Sequence, residues 1–290
     1  MTKETFLSWT AQEVVLLDGA TGSNLRAAGM PPGVSPELWV LEHPEILLEL
    51  QRGFVEAGSQ VLCAPTFSAN RMSLRHFGLE EKVGELNQKL VELSRQAAGG
   101  KALVAGDLST MGQPLEPVGS LSYGAAYDIY REQMEALAAG GVDLLAVETL
   151  MGIDEAAAAL DAAAGLGLAV LCSFSVEADG GVLFGGNIWE AAAAAQELDA
   201  AAVGVNCSVG PDQLEAAVRS VRGAVSIPVI AKPNAGLPVM DEMGQAHYSM
   251  GPVEFARHMG ALLGAGAGVV GGCCGTTPEY IRKLAAALGR

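Results

Sequence analysis

Short apolar runs alternate along the chain with longer segments in which apolar residues recur at helical spacing. Eight runs are rich in Val, Leu, Ile and Ala and predict β-strands. They cover residues 14–17, 60–64, 102–106, 144–147, 169–174, 202–205, 228–231 and 268–270. Because these runs are apolar almost throughout, they are typical of strands that are buried on both faces of a parallel sheet.

A predicted helix follows each strand, or lies between it and the next one. The helical patterns cover residues 44–56, 86–97, 125–138, 153–166, 187–197, 211–221, 252–263 and 278–288. Four of them begin with proline, which is favoured in the first helical turn. Eight strand-and-helix units fit a closed barrel of about 250 residues better than an open doubly wound sheet. We therefore predict an α/β protein in which residues 1–290 form a single (β/α)8 TIM barrel domain.

The charge of the chain narrows the range of partners. Its 290 residues include 17 Lys and Arg against 33 Asp and Glu, a formal net charge of -16. Such a chain repels nucleic-acid phosphates and anionic membrane surfaces. Residues 1–10 lack the pattern of a signal peptide, and no stretch offers about 18 to 20 uninterrupted apolar residues. We expect a cytoplasmic protein that binds neither nucleic acid nor membrane.

Polar residues and cysteines stand at the carboxyl ends of the predicted strands, where TIM barrels carry their active sites. In chain order they are Asp18, Thr66, Asp107, Glu148, Ser173, Ser175, Asn206, Cys207, Asn234, Cys273 and Cys274. The barrel would bring these side chains to one rim.

Three of the five cysteines belong to this rim. Cys273 and Cys274 are neighbours that could form a disulfide only in a strained ring. Together with Cys207 they offer three thiolates, a ligand set that suits Zn²⁺. We predict a zinc site at the C-terminal face with an open fourth position, which could bind a thiol and favour its thiolate form. Cys63 and Cys172 lie inside strand runs and are predicted to be small core residues.

Two other interpretations of the segment around Cys273 and Cys274 stay open. The glycines at 271, 272 and 275 could form a packed turn whose thiols have no function. The loop could also bind a phosphate in front of the last helix, although the nearest following basic residue is Arg282.

Acidic residues at the same rim indicate a cationic group on the substrate. Asp18 and Glu148 could hold an ammonium group through charge-assisted hydrogen bonds, and the backbone N–H groups of Gly19 and Ala20 could hold a carboxylate. The alternative is that both acids are solvated rim residues or helix caps. A thiol with an ammonium and a carboxylate is an amino acid such as homocysteine or cysteine.

The motifs at these positions resemble the homocysteine S-methyltransferase family over about residues 14–288. They are Gly271-Gly272-Cys273-Cys274-Gly275-Thr276-Thr277-Pro278, Gly204-Val205-Asn206-Cys207-Ser208, Leu17-Asp18-Gly19-Ala20, Val147-Glu148-Thr149 and Pro233-Asn234-Ala235-Gly236. The resemblance implies a zinc barrel in which Cys207, Cys273 and Cys274 bind the metal and the homocysteine sulfur takes the open position.

The resemblance also implies roles for the other rim residues. Asp18 and Glu148 would bind the amino group of homocysteine. Gly19, Ala20 and Thr66 would lie along its carboxylate, and Asn234 would lie beside the metal.

The methyl donor is less closely defined. The segment 64–74 is most similar to the homocysteine-binding module of cobalamin-dependent methionine synthase, where the donor is methylcobalamin on another module. The chain has no Asp-x-His-x-x-Gly motif for binding cobalamin. We therefore expect a separate corrinoid protein as donor, with S-methylmethionine or betaine as the alternative. The C-terminal extension expected of betaine enzymes does not follow the last predicted helix.

Two rival functions remain. One is a related methyltransferase with a thiol acceptor other than homocysteine. The other is a barrel that binds or stores zinc without catalysis, which would show no change in metal coordination when a thiol is added.

Overall fold

The structure is a computed structural model that describes residues 1–177, 179–240 and 246–290. Its strands are β1 (Val15–Leu16), β2 (Val61–Cys63), β3 (Leu103–Ser109), β4 (Leu144–Leu150), β5 (Val170–Phe174), β6 (Ala202–Cys207), β7 (Val229–Pro233), β8 (Pro238–Met240), β9 (Ala246–Tyr248) and β10 (Ala267–Val270). All except β8 and β9 form one parallel sheet in the order β1-β10-β7-β6-β5-β4-β3-β2.

The first and last strands of this order meet and close the sheet into a barrel. Leu17 forms a parallel bridge with Val61, and the N–H of Gln60 donates to the carbonyl oxygen of Leu16 at 2.7 Å. Each of the eight predicted strands coincides with a strand of this sheet. The predicted (β/α)8 TIM barrel is confirmed.

Several strands extend beyond the apolar segments that predicted them. β3 continues to Ser109, β4 to Leu150, β6 to Cys207 and β7 to Pro233. The ladders continue as well, because Ser109 pairs with Glu148 and Cys207 pairs with Pro233. The polar residues interrupt the apolar pattern, but the hydrogen bonds between strands continue past them. The side chains at the strand ends therefore project from regular β-sheet backbone.

The helices surround the barrel. They are α1 (Lys3–Thr10), α2 (Gly22–Ala27), α3 (Pro36–Glu42), α4 (Pro44–Ala57), α5 (Arg71–Leu74), α6 (Val83–Ala98), α7 (Tyr123–Gly140), α8 (Ile153–Ala163), α9 (Ile188–Glu197), α10 (Glu215–Ala224), α11 (Pro252–Gly264) and α12 (Pro278–Ala287). The eight predicted helices correspond to α4 and to α6 through α12. The start predicted at Pro211 is wrong, because Pro211–Gln213 form a separate 3₁₀ turn and α10 begins at Glu215.

The barrel is packed on both sides of its wall. A large apolar cluster fills the layer between strands and helices. A second cluster joins the strands to Phe6 of α1. Since the carbonyl of Met1 accepts from Ala169, just before β5, α1 covers the end of the barrel opposite the strand carboxyl ends.

The carboxyl ends of the strands carry the additional structure. β8 and β9 form an antiparallel hairpin between β7 and α11, and α2 and α3 lie in the long connection after β1. Among the described residues, none of the helices has the length and apolar character needed to cross a membrane.

Candidate metal and substrate site

Three cysteine side chains meet at the carboxyl ends of β6 and β10. The Sγ atoms of Cys207, Cys273 and Cys274 all lie within 4.8 Å of one another. Cys207 ends β6, and the other two lie in the turn between β10 and α12. The fold therefore brings together three thiols that are far apart in the sequence, as predicted.

Backbone hydrogen bonds fix this turn against the end of β7. The N–H of Cys273 donates to Pro233 at 2.7 Å, and the N–H of Ala235 donates to the carbonyl of Cys274 at 2.9 Å. The hydroxyl of Thr276 donates to the carbonyl of Cys273 at 2.7 Å. The two vicinal thiols are thus positioned by main-chain contacts on both sides.

The backbone at the other cysteine is strained. Cys207 and Ser208 have φ values of 55° and 65°, and Thr149, next to Glu148, has a φ of 62°. Residues other than glycine seldom adopt this left-handed region, and such outliers cluster at functional sites. The side chain of Asn206 holds Thr149 in place, accepting from its N–H and donating to its hydroxyl oxygen, each at 2.8 Å. The strained residues therefore lie at the cysteine cluster and next to the acidic residue Glu148.

The three thiols are hydrogen-bonded to one another, and a tyrosine joins them. Hydrogen bonding from Cys207 lowers the pKa of Cys274 to about 3, while hydrogen bonding with Cys273 raises the pKa of Cys207. The hydroxyl of Tyr248, on β9, also hydrogen-bonds to Cys274. The ring of Tyr248 lies over Gly275, where a Cβ would approach its Cγ to 2.3 Å and where φ is +82°. A glycine is therefore required at position 275.

The cysteine cluster suits a zinc ion. Zn–S bonds of about 2.3 Å at tetrahedral angles separate the sulfurs by about 3.8 Å, which the observed spread of the thiols accommodates. Asn234 follows β7, and its N–H donates to Val209 near Cys207. Its Oδ1 atom is buried without a hydrogen-bond partner among the described residues. This oxygen could serve as a further metal ligand near the cysteines.

Acidic residues and one lysine form a charged group beside the cysteines. The Nζ atom of Lys232 lies 2.8 Å and 3.0 Å from the two carboxylate oxygens of Glu148 and 3.9 Å from Oδ1 of Asp18. Oδ2 of Asp18 accepts from the N–H of Cys63 at 2.8 Å. The two acids that the sequence predicts to bind an ammonium group therefore surround the ammonium of the protein's own lysine.

Burial shifts the titration of these groups. It raises the pKa of Asp18 to about 6, against the opposing effect of Lys232, and it raises the pKa of Glu148. For Asp107, burial first and the charge of Glu148 second raise the pKa well above its usual value. A cation that binds beside these buried acids favours their ionised form.

A cavity of about 410 Å³ lies at this rim. The residues that line it include Gly19, Ala20, Cys63, Phe67, Asp107, Glu148, Lys232 and the three cysteines. It therefore joins the sulfur cluster to the charged group, as a site for one molecule with a thiol and an ammonium group requires. Cys63 is buried in β2 as predicted, but its thiol also lies 3.6 Å from Lys232 Nζ.

The other predicted contacts have different surroundings. Asp18 is fully buried, and like Thr66 and Asn234 it is not among the residues that line the cavity. The hydroxyl of Thr66 donates to the carbonyl of Asp107 at 2.8 Å and accepts from its N–H at 3.1 Å. The N–H of Ala20 donates to Thr276 at 3.1 Å. The predicted carboxylate contacts of Thr66 and Ala20 stay predictions, and in this structure both groups already have partners.

Three residues that carry much of this geometry were not predicted as site residues. Lys232 directly follows the apolar run 228–231, and a charged residue inside a buried strand is the signal that could have found it. Asp107 was noted as a strand-end residue and given no role. Tyr248 lies far from any predicted strand, and the sequence carries no signal for it.

The fold is that of a TIM barrel with three clustered thiols at the carboxyl ends of its strands. Residues 15–288 match the homocysteine S-methyltransferase family. The chain belongs to this family.

Individual relatives agree with this assignment. Methionine synthases of Mycobacterium leprae and Mycobacterium tuberculosis are 32% and 31% identical over 98% and 96% of the chain. The chain spans about a quarter of the length of these relatives, 25% in each case. The metallated form of the homocysteine methyltransferase MmuM from Escherichia coli superposes with a TM-score of 0.80, at 27% identity over 95% of this chain and 96% of that one.

Proposed function

We propose that this protein is a zinc-dependent methyltransferase that moves a methyl group to the thiolate of homocysteine and so produces methionine. The observation that carries the proposal is the cluster of three thiols within 4.8 Å at one cavity with Glu148 and Asp107. Membership in the homocysteine S-methyltransferase family supports the choice of acceptor.

Cys207, Cys273 and Cys274 would hold the metal. When bound, zinc lowers the pKa of a coordinated thiol, so that the thiolate is present near neutral pH. Asn234 would lie beside it, because its unpaired Oδ1 is buried near these cysteines. A set of three protein ligands leaves the fourth position for substrate, as in catalytic zinc sites.

The remaining rim residues would orient the amino acid. Asp18 and Glu148 would attract its ammonium group, and the backbone at Gly19 and Ala20 would lie along its carboxylate, with Thr66 behind. In the proposed reaction the sulfur bonds to the methyl carbon, the bond from that carbon to the donor breaks, and the thiol proton leaves to solvent. The contribution of the barrel is to fix the sulfur in line with the incoming methyl group.

We infer that the donor is methylcobalamin on a separate corrinoid protein, which would dock over the carboxyl ends of the strands. The likeness to methionine synthases supports this donor. The alternative is a small onium compound, S-methylmethionine or betaine. Methionine formation from homocysteine with each of the three donors distinguishes them, and turnover with an onium compound alone would exclude the need for a corrinoid partner.

Zinc X-ray absorption, with and without homocysteine, tests the proposal without assuming a donor. We expect three sulfurs and one lighter atom in the free protein and four sulfurs after homocysteine is added. Cys273→Ser should lose most of the bound zinc, while Cys172→Ser, a buried thiol outside the cluster, should retain a full equivalent. A zinc shell that ignores homocysteine would favour a storage barrel, and a shell that responds equally to other thiols would favour a different acceptor.

A further inference from the structure

The ammonium part of the proposed site has a shortage of free acceptors. An ammonium group carries three hydrogen-bond donors. Both oxygens of Glu148 already accept from Lys232. Oδ1 of Asp18 has no hydrogen-bond partner among the described residues, but Asp18 is fully buried, does not line the cavity, and its other oxygen accepts from Cys63. A substrate ammonium that approached Glu148 would therefore find it paired with another cation.

Glu37, which also lines the cavity, accepts from the hydroxyl of Ser35. Asp107 is an acid at this cavity whose carboxyl group is not paired in this way. It lines the cavity, only 8% of it is exposed, and its Oδ1 atom has no hydrogen-bond partner among the described residues. A buried carboxylate oxygen without a partner destabilises the folded protein, because it loses its hydrogen bonds to water and gains none in return. Such a cost is typical of a group that is kept for a ligand.

A structural role does not account for this side chain. Thr66 holds the backbone of Asp107 through two hydrogen bonds, and β3 pairs regularly with β4 at this residue. The strand is thus positioned through main-chain atoms. Asp107 adds a third acid next to Asp18 and Glu148, while Lys232 is the cation among the described residues that line the cavity.

We propose that Asp107 is a further substrate-binding residue, which accepts hydrogen bonds from the ammonium group of the amino-acid thiol while Lys232 remains paired with Glu148. The proposal rests on the proposed function, and it assigns Asp107 to the amine end of the substrate. It therefore predicts that Asp107 matters for thiols that carry an amine and not for thiols that lack one.

Calorimetric titration of the zinc-loaded protein tests this with two ligands. Homocysteine carries the amine, and 4-mercaptobutanoic acid keeps the thiol and the carboxylate without it. Asp107→Asn should weaken homocysteine binding by about 10- to 100-fold, as expected for loss of a charge-assisted hydrogen bond, and should leave the affinity for 4-mercaptobutanoic acid unchanged. Asp128→Asn, an exposed residue of α7, makes the same charge change and should alter neither affinity.

A melting curve separates binding from structure. Because Asp107→Asn removes a buried acid whose Oδ1 has no partner among the described residues, we expect an equal or higher melting temperature and full zinc content. Asp107→Ser serves as a second variant with the same expected selectivity. The proposal is overturned if homocysteine binds the variants as tightly as the wild type, or if both ligands weaken equally. Failure of the wild type to bind either thiol at zinc would instead refute the proposed function.

Discussion

At the scale of single residues, Asp18 both contacts the strands that close the barrel and belongs to the charged group of the site. Its side chain accepts from Cys63 on β2 at 2.8 Å, and its carbonyl accepts from Gly272 after β10 at 3.0 Å. The same burial that makes these contacts possible raises the pKa of its carboxyl to about 6 from 3.8. Its charge is therefore sensitive to pH in a range where exposed aspartates are fully ionised.

Homocysteine affinity should respond to this pKa. An ionised Asp18 places a negative charge beside the proposed ammonium subsite, so the affinity for homocysteine relative to 4-mercaptobutanoic acid should rise as the pH increases through about 6. Taking the ratio of the two affinities removes the effect of thiol ionisation on binding, because both ligands carry a thiol. In Asp18→Asn this rise should be absent, and calorimetric titration at several pH values measures it. An unchanged pH profile would show that Asp18 does not set the charge of the subsite.

Titration of Asp18 should affect protein stability in the opposite direction: as the pH rises, homocysteine affinity should increase and the stability of the folded state should decrease. A carboxyl whose pKa is raised by folding holds more protons in the folded than in the unfolded state between about pH 4 and pH 6. Its contribution to the free energy of unfolding therefore decreases as the pH rises through that window. If Asp18 binds the ammonium group as proposed, its charged form would favour ligand binding and disfavour folding.

At the residue scale, the sequence was informative where a residue type is unusual. Vicinal cysteines and acids after apolar runs stand out, which is why Cys273, Cys274 and Glu148 could be predicted as rim residues. Lys232 directly follows a predicted strand, so the sequence places it near the rim but does not show what its ammonium group contacts. Only the fold shows that its ammonium lies 2.8 Å from Glu148.

At the scale of single elements, β6 combines regular pairing with a strained end. Cys172, Ser173 and Phe174 of β5 pair with it on one side and β7 on the other, and it ends in the left-handed residues Cys207 and Ser208. Gly204 allows the backbone of β7 to approach closely. A Cβ at this position would lie 2.0 Å from the carbonyl oxygen of Ile230 and 2.6 Å from its nitrogen.

Gly204→Ala should therefore lower the free energy of unfolding by about 3 kcal/mol or more, because the strand ladder would have to separate to admit the methyl group. Gly223→Ala in α10 is the matched control, since nothing lies within 4 Å of a Cβ there and alanine is the better helix former. Urea denaturation measures both. A stable Gly204→Ala variant would mean that β6 and β7 can move apart without loss.

The elements themselves were predictable in proportion to their length. The long periodic helices and the apolar strands were found, and their ends differed by a few residues. α1, α2, α3, α5 and the β8–β9 hairpin were missed, because such short segments carry too few residues for a period to be recognised. Tyr248, which lies in this hairpin, was missed for the same reason.

For the whole molecule, the least regular part of the barrel is the contact between β1 and β2. β1 has only two residues, and a side chain replaces part of the missing ladder. Oε1 of Gln60 accepts from the N–H of Leu16 at 2.9 Å and from Arg290 at 2.7 Å. The alternation of strands and helices predicted a closed barrel, but a closure that depends on a side chain could not be read from that pattern.

Gln60→Ala should lower the free energy of unfolding by about 1–3 kcal/mol, because the buried N–H of Leu16 would lose its acceptor. Gln88→Ala, an exposed residue of α6, should change it little. Guanidinium denaturation monitored by circular dichroism compares the two. Equal stability of both variants would show that the backbone contacts of Leu17 and Gln60 close the barrel on their own.

The position of α1 has a consequence for the order of events in the proposed reaction. Phe6 fills the end of the barrel away from the cysteines, so in the proposed reaction homocysteine, methionine and the methyl donor would share the mouth at the carboxyl ends of the strands. A protein that delivers the methyl group there would cover the entrance while it is bound. Homocysteine would then have to enter first and methionine leave last, so we expect compulsory-ordered kinetics in which methionine inhibits competitively with respect to homocysteine.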